Sequence, residues 1–187
     1  IVGDINAEEM EAKLKKVFED VKVPVNPAER IYYPVSDNQE PLIYIGTDKE
    51  VKNPSVNIFF KHEATPDSLK NTISYYASQY MLSMAMTMLN NRLNELRQTA
   101  NPPFTNASAG YGEFFLAKTK EAFSLDARSK VDGIDLAMKT VLKEAERARR
   151  FGFTATEYER ARANYMQGVE SAYNEREKTK SGSYVNE

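Results

Sequence analysis

Residues 65–98, TPDSLKNTISYYASQYMLSMAMTMLNNRLNELRQ, are the stretch from which the rest of the fold can be worked out. Thr65, Pro66 and Asp67 supply an N-cap, a first-turn proline and a carboxylate that suits the positive end of a helix dipole. The apolar residues that follow recur at helical spacing, so we expect one long helix that ends near Gln98. Its broad apolar face carries Leu69, Ile73, Tyr76, Tyr80, Met84, Leu89, Leu93 and Leu96.

Three methionines, Met81, Met84 and Met88, share one face of this helix. We predict that they fill the core, because the flexible thioether chain adapts to irregular gaps. An adaptable surface for binding peptides is the alternative interpretation of the same residues.

Strands are predicted on both sides of the helix. Ser55–Lys61 alternates side chains in the way that a half-buried strand does. Residues 99–110 are small, polar and interrupted by two prolines, which predicts a loop. Residues 111–118 and 121–128 then predict an antiparallel hairpin that turns at Thr119.

Two further helices are predicted at 133–150, with Gly152 as the C′ residue, and from Thr154, which forms a capping box with Glu157. The order from about residue 55 is therefore β-α-β-β-α-α. This order predicts an α+β two-layer sandwich with helices on one face of an antiparallel sheet. We assign residues 55–187 to this domain and expect it to be truncated at its C-terminus.

The first 54 residues suggest a different origin. Residues 1–21 predict a strand, a tight turn and an amphipathic helix, which a capping box of Asn6 and Glu9 begins. One strand and one helix cannot bury their own apolar faces, so we expect a remnant of a preceding domain. Residues 22–54 predict a proline-interrupted linker and a first strand at Pro41–Ile45.

Composition excludes several classes of function. The 187 residues are 41% hydrophobic and 28% charged, which is typical of a globular protein, and no stretch has the length of a membrane span. A net charge of −2 gives no basis for binding nucleic acid. The absence of cysteine excludes disulfides and thiolate metal sites, and it is compatible with both the periplasm and the cytoplasm.

Candidate catalytic groups are scarce. His62 is the only histidine, and no second histidine lies three or four residues away to complete a zinc motif. We therefore expect His62 to be an exposed residue at a strand end, and we predict no catalytic residue and no metal ligand in this chain.

Three stretches together resemble the pitrilysin/insulinase-type zinc metallopeptidases. IVGDIN (1–6) and KVFED (16–20) resemble the end of the family's N-terminal domain. The LNNRL stretch at Leu89–Leu93 resembles a leucine–asparagine–arginine–leucine element in the first long helix of the next domain, with Asn90 or Asn91 as the asparagine. Residues 144–162 resemble the family's helix–Gly-Phe-Thr–helix junction.

This resemblance implies the fold, partners and cofactor of the parent protein. It implies the two-layer α+β fold of LuxS/MPP-like metallopeptidases, in halves that close around a chamber for unfolded peptides. The implied partners are the preceding catalytic domain and the opposite half or a partner subunit. The family's inverted zinc motif, H-x-x-E-H, has no match here, so zinc is expected in the parent protein and not in this chain.

Second-half domains of active family members place an arginine and a tyrosine near the substrate. Arg97 and Tyr111 lie in a comparable helix-to-strand region, which makes them the candidate substrate-binding residues. A noncatalytic homologue that acts as a peptide-binding or assembly subunit is the alternative to an active peptidase.

Overall fold

The computed structural model describes residues 2–185, with side chains for residues 2–183. The chain divides into two compact units. The larger is Tyr32–Asn164, and the other combines the N-terminal stretch through Ile31 with the chain from Tyr165 onward. The elements in chain order are α1 (Ala7–Val17), β1 (Ser55–Glu63), α2 (Asp67–Lys70), α3 (Ile73–Arg97), β2 (Asn106–Phe114), β3 (Ala117–Arg128), α4 (Ile134–Phe151), α5 (Ala155–Glu175), a 3-10 helix (Arg176–Lys178) and α6 (Ser181–Val185).

The larger unit is built on a three-stranded antiparallel sheet in the order β1-β3-β2. Leu125 of the central strand pairs with Ile58 of β1 on one side and with Ala109 of β2 on the other. Both β1 and β2 are therefore edge strands of this sheet, and each carries one row of backbone groups that β3 does not use.

One face of the sheet carries the helices. Leu125 and Ala127 of β3 are buried against Leu89 and Leu93 of α3 and Val141 of α4. The prediction of an α+β fold with an antiparallel sheet and a helical layer is confirmed. A second buried cluster joins Met84 and Met88 to Ala161 of α5, whereas Met81 is 62% exposed. The prediction of core residues is therefore confirmed for Met84 and Met88 and wrong for Met81.

The long helix differs from the prediction in one respect, because it is two helices. The chain leaves helical geometry at Thr72, whose φ and ψ are −111° and 152°. The Thr72 hydroxyl accepts a hydrogen bond from the backbone N–H of Tyr75 and so caps α3 as a new helix. An internal N-cap therefore overrides the apolar periodicity that runs through it.

The hairpin also differs from the prediction. β2 begins at Asn106, inside the predicted loop, and the turn falls at Phe115 and Leu116 instead of Thr119. Phe115 has a φ of +53°, which bulky residues seldom adopt, so no glycine or asparagine marked the turn. The small residues of β2 suggested a loop, but several of them face the packed helix.

Two predicted strands are absent from the described residues. Residues 2–5 form no strand, and Ile1 lies outside the described residues. Pro41–Ile45 is also not a strand, and Leu42, Ile43, Tyr44 and Ile45 are each more than 80% exposed. A strand exists only through pairing, and neither segment has a neighbour in the described part of the chain to supply it. The helix predicted through residue 21 ends at Val17.

Several local signals agree with the structure. The Asn6 side chain accepts from the backbone N–H of Glu9 at 3.1 Å and caps α1. The backbone N–H of Glu157 donates to the Thr154 hydroxyl at 3.3 Å, and the Thr154 N–H donates to the Glu157 carboxylate at 2.7 Å, which completes the predicted capping box. Gly152 ends α4 with a φ of +67°.

The linker is fastened to the start of β3. Lys120 is 3% exposed, and its ammonium group donates to the carboxylate of Asp37 at 2.8 Å and to that of Glu63. Tyr33 contributes a backbone carbonyl to the Thr119 hydroxyl at 3.4 Å. These bonds hold residues 33–37 at one end of the sheet. Among the described helices, none combines the length and the apolar character that crossing a membrane requires.

Candidate functional site

The outer edge of β2 is covered at one residue by a side chain of α3. The side-chain Nδ2 of Asn90 donates to the backbone carbonyl oxygen of Ala109 at 2.8 Å. The backbone N–H of Ala109 donates to the side-chain Oδ1 of Asn90, also at 2.8 Å. The carboxamide thus takes the place of one peptide group of a neighbouring strand.

The bonding of Ala109 also identifies the groups that remain open. Backbone groups of an antiparallel strand point alternately to one neighbour and to the other. The backbone N–H and C=O of Ala109 point away from β3. Those of Ala107 and Tyr111, two residues away on either side, therefore point away from β3 as well. No described residue forms a hydrogen bond with the outward backbone groups of Tyr111. Next to it, a Cβ added to Gly112 would meet nothing within 4 Å, so the face of the sheet opposite the helices is open at this residue.

The Tyr111 side chain is anchored on the helical face of the sheet. Its hydroxyl donates to the Glu121 carboxylate at 3.0 Å, and its ring stacks on His62 at a centroid distance of 5.3 Å. Burial, together with the hydrogen bond to Glu121, raises the pKa of Tyr111 to about 12. The hydroxyl therefore stays protonated at neutral pH and serves as a hydrogen-bond donor that orients the residue.

His62 occupies the exposed end of β1, as predicted, with its Nδ1 atom 2.9 Å from the carbonyl oxygen of Glu63. No group of three or more histidine, aspartate or glutamate side chains within residues 2–183 is arranged to hold a metal ion. The described residues thus provide hydrogen-bonding groups and an open strand edge.

Arg97 lies in a different place from Tyr111. Its guanidinium donates to the side-chain Oδ1 of Asn94 at 2.8 Å. Both residues lie at the exposed C-terminal end of α3. Tyr111 instead lies within electrostatic range of Tyr75, in the first turn of the same helix. Arg97 lies seven residues, about 10 Å along the helix axis, from Asn90, whose side chain bonds to Ala109. Arg97 and Tyr111 therefore form hydrogen bonds to different partners on different elements.

Arg92 joins α3 to the α4–α5 junction, a role that sequence analysis did not predict. Its Nε and Nη2 atoms donate to the two carboxylate oxygens of Glu157 at 2.5 and 2.9 Å, and Nη2 also reaches the Gly152 carbonyl at 3.1 Å. The guanidinium lies 4.6 Å from the ring centroid of Phe153. Arg92 therefore fixes the α4–α5 junction to α3, and the leucine–asparagine–arginine–leucine element is explained residue by residue.

These features define an α+β domain with an open sheet edge and no metal-binding cluster among the described residues. The chain belongs to the peptidase M16 family, because the family model described as "Peptidase M16 inactive domain" matches residues 1–165. The resemblance to pitrilysin/insulinase-type peptidases is thereby confirmed. No curated protein sequence matches the chain.

Three solved structures are similar to this chain. The periplasmic protease PqqL from Escherichia coli superimposes with a TM-score of 0.81 at 18% identity over 98% of this chain, and the first half of the same protease gives 0.79 at 19% identity over 96%. A predicted insulinase family protease from Yersinia pestis gives 0.76 at 13% identity over 98%. This chain spans 20%, 37% and 38% of those three chains, respectively.

Proposed function

We propose that this chain is the noncatalytic domain of a zinc-dependent endopeptidase and that it lines a chamber for unfolded peptide. The observation that carries the proposal is the open edge of β2 beyond Ala109. An extended peptide can add to such an edge through main-chain hydrogen bonds, which recognise any sequence. A chamber that accepts many unfolded substrates needs this kind of recognition.

The bonding pattern supports a role for Tyr111 in substrate binding. Its outward N–H and C=O are the first groups past the Asn90 cap, and its side chain is held by Glu121. A peptide strand added here would bond to the backbone of Tyr111, while the fixed side chain keeps that backbone in place. Arg97 would contact another part of the substrate, since it lies at the C-terminal end of α3 and Tyr111 lies on β2.

The zinc site, the catalytic domain and the opposite half belong to the parent protein in this proposal. Family membership supports it, and the matching family model is the one described as inactive. Metal analysis should therefore find zinc in the complete parent protein and none bound to purified residues 1–187. An upstream sequence without an intact inverted zinc motif would favour the noncatalytic homologue instead.

N-methylation of a peptide tests strand addition directly. A strand on an edge uses every second N–H, and an unstructured peptide can shift by one residue to present either set, so methylating one alternate set should leave binding and methylating every N–H should abolish it. The probe is an unstructured ten-residue peptide titrated into the complete 187-residue chain. Equal binding of the unmethylated and the fully methylated peptide would contradict addition to β2.

A further inference from the structure

The face of the sheet opposite the helices carries an aromatic cluster at its hairpin end. The ring of Phe59 on β1 lies 5.7 Å from that of Phe114 on β2 and 5.0 Å from that of Phe115 in the turn, and the last two rings are 4.7 Å apart. Phe59 lies on this face because its neighbour Ile58 packs against the core. Phe59 is 40% exposed and Phe115 is 67% exposed, so the three rings form one apolar surface open to solvent.

The backbone of the turn holds this aromatic cluster in a strained conformation. Phe115 has a φ of +53°, which is costly for a residue with a bulky side chain. Its ring contacts both other rings of the cluster. Strained residues persist where surrounding contacts determine them, and they are common at sites that bind ligands. The turn therefore places an aromatic ring where a glycine or asparagine would be easier to accommodate.

A residue without a side chain separates the aromatic cluster from the open edge of β2. Gly112 lies two residues before Phe114, and a Cβ added to it would meet nothing within 4 Å. Gly112 is flanked by Tyr111 and Glu113, whose backbone groups point to the outer edge by the alternation of the strand. A residue of an antiparallel added strand that faces Gly112 has its Cα atom about 4.5 Å away and its side chain on the same face. Space for that side chain is therefore present over Gly112.

We propose that Gly112 and the aromatic cluster select an aromatic side chain, phenylalanine or tyrosine, in the peptide that adds to the β2 edge. The ring would lie over Gly112 and contact Phe114, since diagonal neighbours on adjacent strands are about 7–8 Å apart and within reach of aromatic side chains. A ring opposite an edge glycine supplies the packing that the glycine lacks. Edge-to-face contacts between rings add attraction beyond the area that they bury. This inference rests on the proposed function and adds a side-chain preference to it.

The test compares three ten-residue peptides of polar residues that differ at one central position: phenylalanine, leucine and alanine. The peptide can shift along the edge until its one large side chain faces Gly112, so the central residue determines the register. Binding to the complete chain is measured by fluorescence anisotropy of the labelled peptides. We expect the phenylalanine peptide to bind at least about fivefold more tightly than the alanine peptide, with the leucine peptide between them.

Gly112→Asp should reduce the affinity for the phenylalanine peptide to that for the alanine peptide, because a charged carboxylate would occupy the space over the strand. The chain can accommodate this side chain, since Gly112 has no positive φ and open space at its Cβ position. Gly168→Asp on α5 is the matched control, because a Cβ at Gly168 also meets nothing within 4 Å and the change in charge is the same. The preference for phenylalanine should persist in Gly168→Asp, and circular dichroism checks that both variants fold.

Equal binding of the phenylalanine and leucine peptides, or of all three peptides, to the unsubstituted chain would overturn this inference and leave strand addition intact. A phenylalanine preference that persists in Gly112→Asp would also overturn it, since the ring would then bind elsewhere. The same holds for a preference that survives methylation of every peptide N–H, which would show binding of the ring without an added strand. Failure of all three peptides to bind would overturn both this inference and the proposed function.

Discussion

Asn90 and Ala109 are joined by two hydrogen bonds of 2.8 Å, and through them a helix side chain takes the place of a neighbouring strand. An uncovered edge strand is a template for pairing with other chains. This contact closes the β2 edge at one residue and leaves it open at the next outward position, Tyr111. The pair therefore determines where a peptide strand can add.

Asn90→Ala should lower the free energy of unfolding by about 1–3 kcal/mol, because it leaves both Ala109 backbone groups without their partner. Urea unfolding followed by circular dichroism measures this loss. Asn91→Ala is the matched control and should change stability by less than about 0.5 kcal/mol. Equal effects of the two substitutions would show that the cap contributes nothing specific.

Arg92→Met should destabilise the chain by about 1–3 kcal/mol, since it leaves the partly buried Glu157 carboxylate without its charged partner. The Arg92 side chain is only 10% exposed, and it bonds to Glu157 and to the Gly152 carbonyl. Arg160 pairs with Glu95 at 3.9 Å with a side chain that is 62% exposed, so Arg160→Met should cost little. A small loss in Arg92→Met would contradict the assigned role.

The Glu157 contribution should depend on pH in a defined direction. The bond from Arg92, together with the bonds from Thr154, lowers the pKa of Glu157 to about 2. A carboxyl whose folded-state pKa is depressed contributes stability above its unfolded pKa and loses it as the pH falls. The stability difference between the unsubstituted chain and Glu157→Gln should therefore be constant near pH 7 and shrink between about pH 4.5 and pH 2. A constant difference throughout that interval would contradict the assignment.

Tyr111→Phe should cost about 1 kcal/mol of stability, because it removes the hydrogen bond to Glu121 and keeps the ring that stacks on His62. Peptide binding should change little, since the proposed contact uses the Tyr111 backbone. Binding and urea unfolding of the same preparation separate the two effects. A large loss of binding without a loss of stability would assign the contact to the hydroxyl instead.

Local rules predicted those parts of the fold that local chemistry controls. The caps at Asn6, Thr154 and Gly152 depend on neighbouring residues, and each is present in the structure. The start of β2 was missed because Ala107 to Gly110 resemble a loop until Asn90 supplies a partner from a distant helix. The turn at Phe115 was missed because a bulky residue there has a positive φ.

The candidate site was less predictable for the same reason. Tyr111 was selected from its place in the sequence, but the property that matters is the direction of its backbone groups, which only strand register reveals. No pattern within one segment carries that information.

Amide hydrogen exchange at Tyr111, with and without an unstructured peptide, tests the central claim most directly. The account predicts that the peptide slows exchange of the Tyr111 N–H, which points to the open edge, and leaves the Ala109 N–H unchanged because Asn90 already occupies it. Unchanged exchange at Tyr111, with peptide-dependent protection on β1 or on the helices instead, would contradict it.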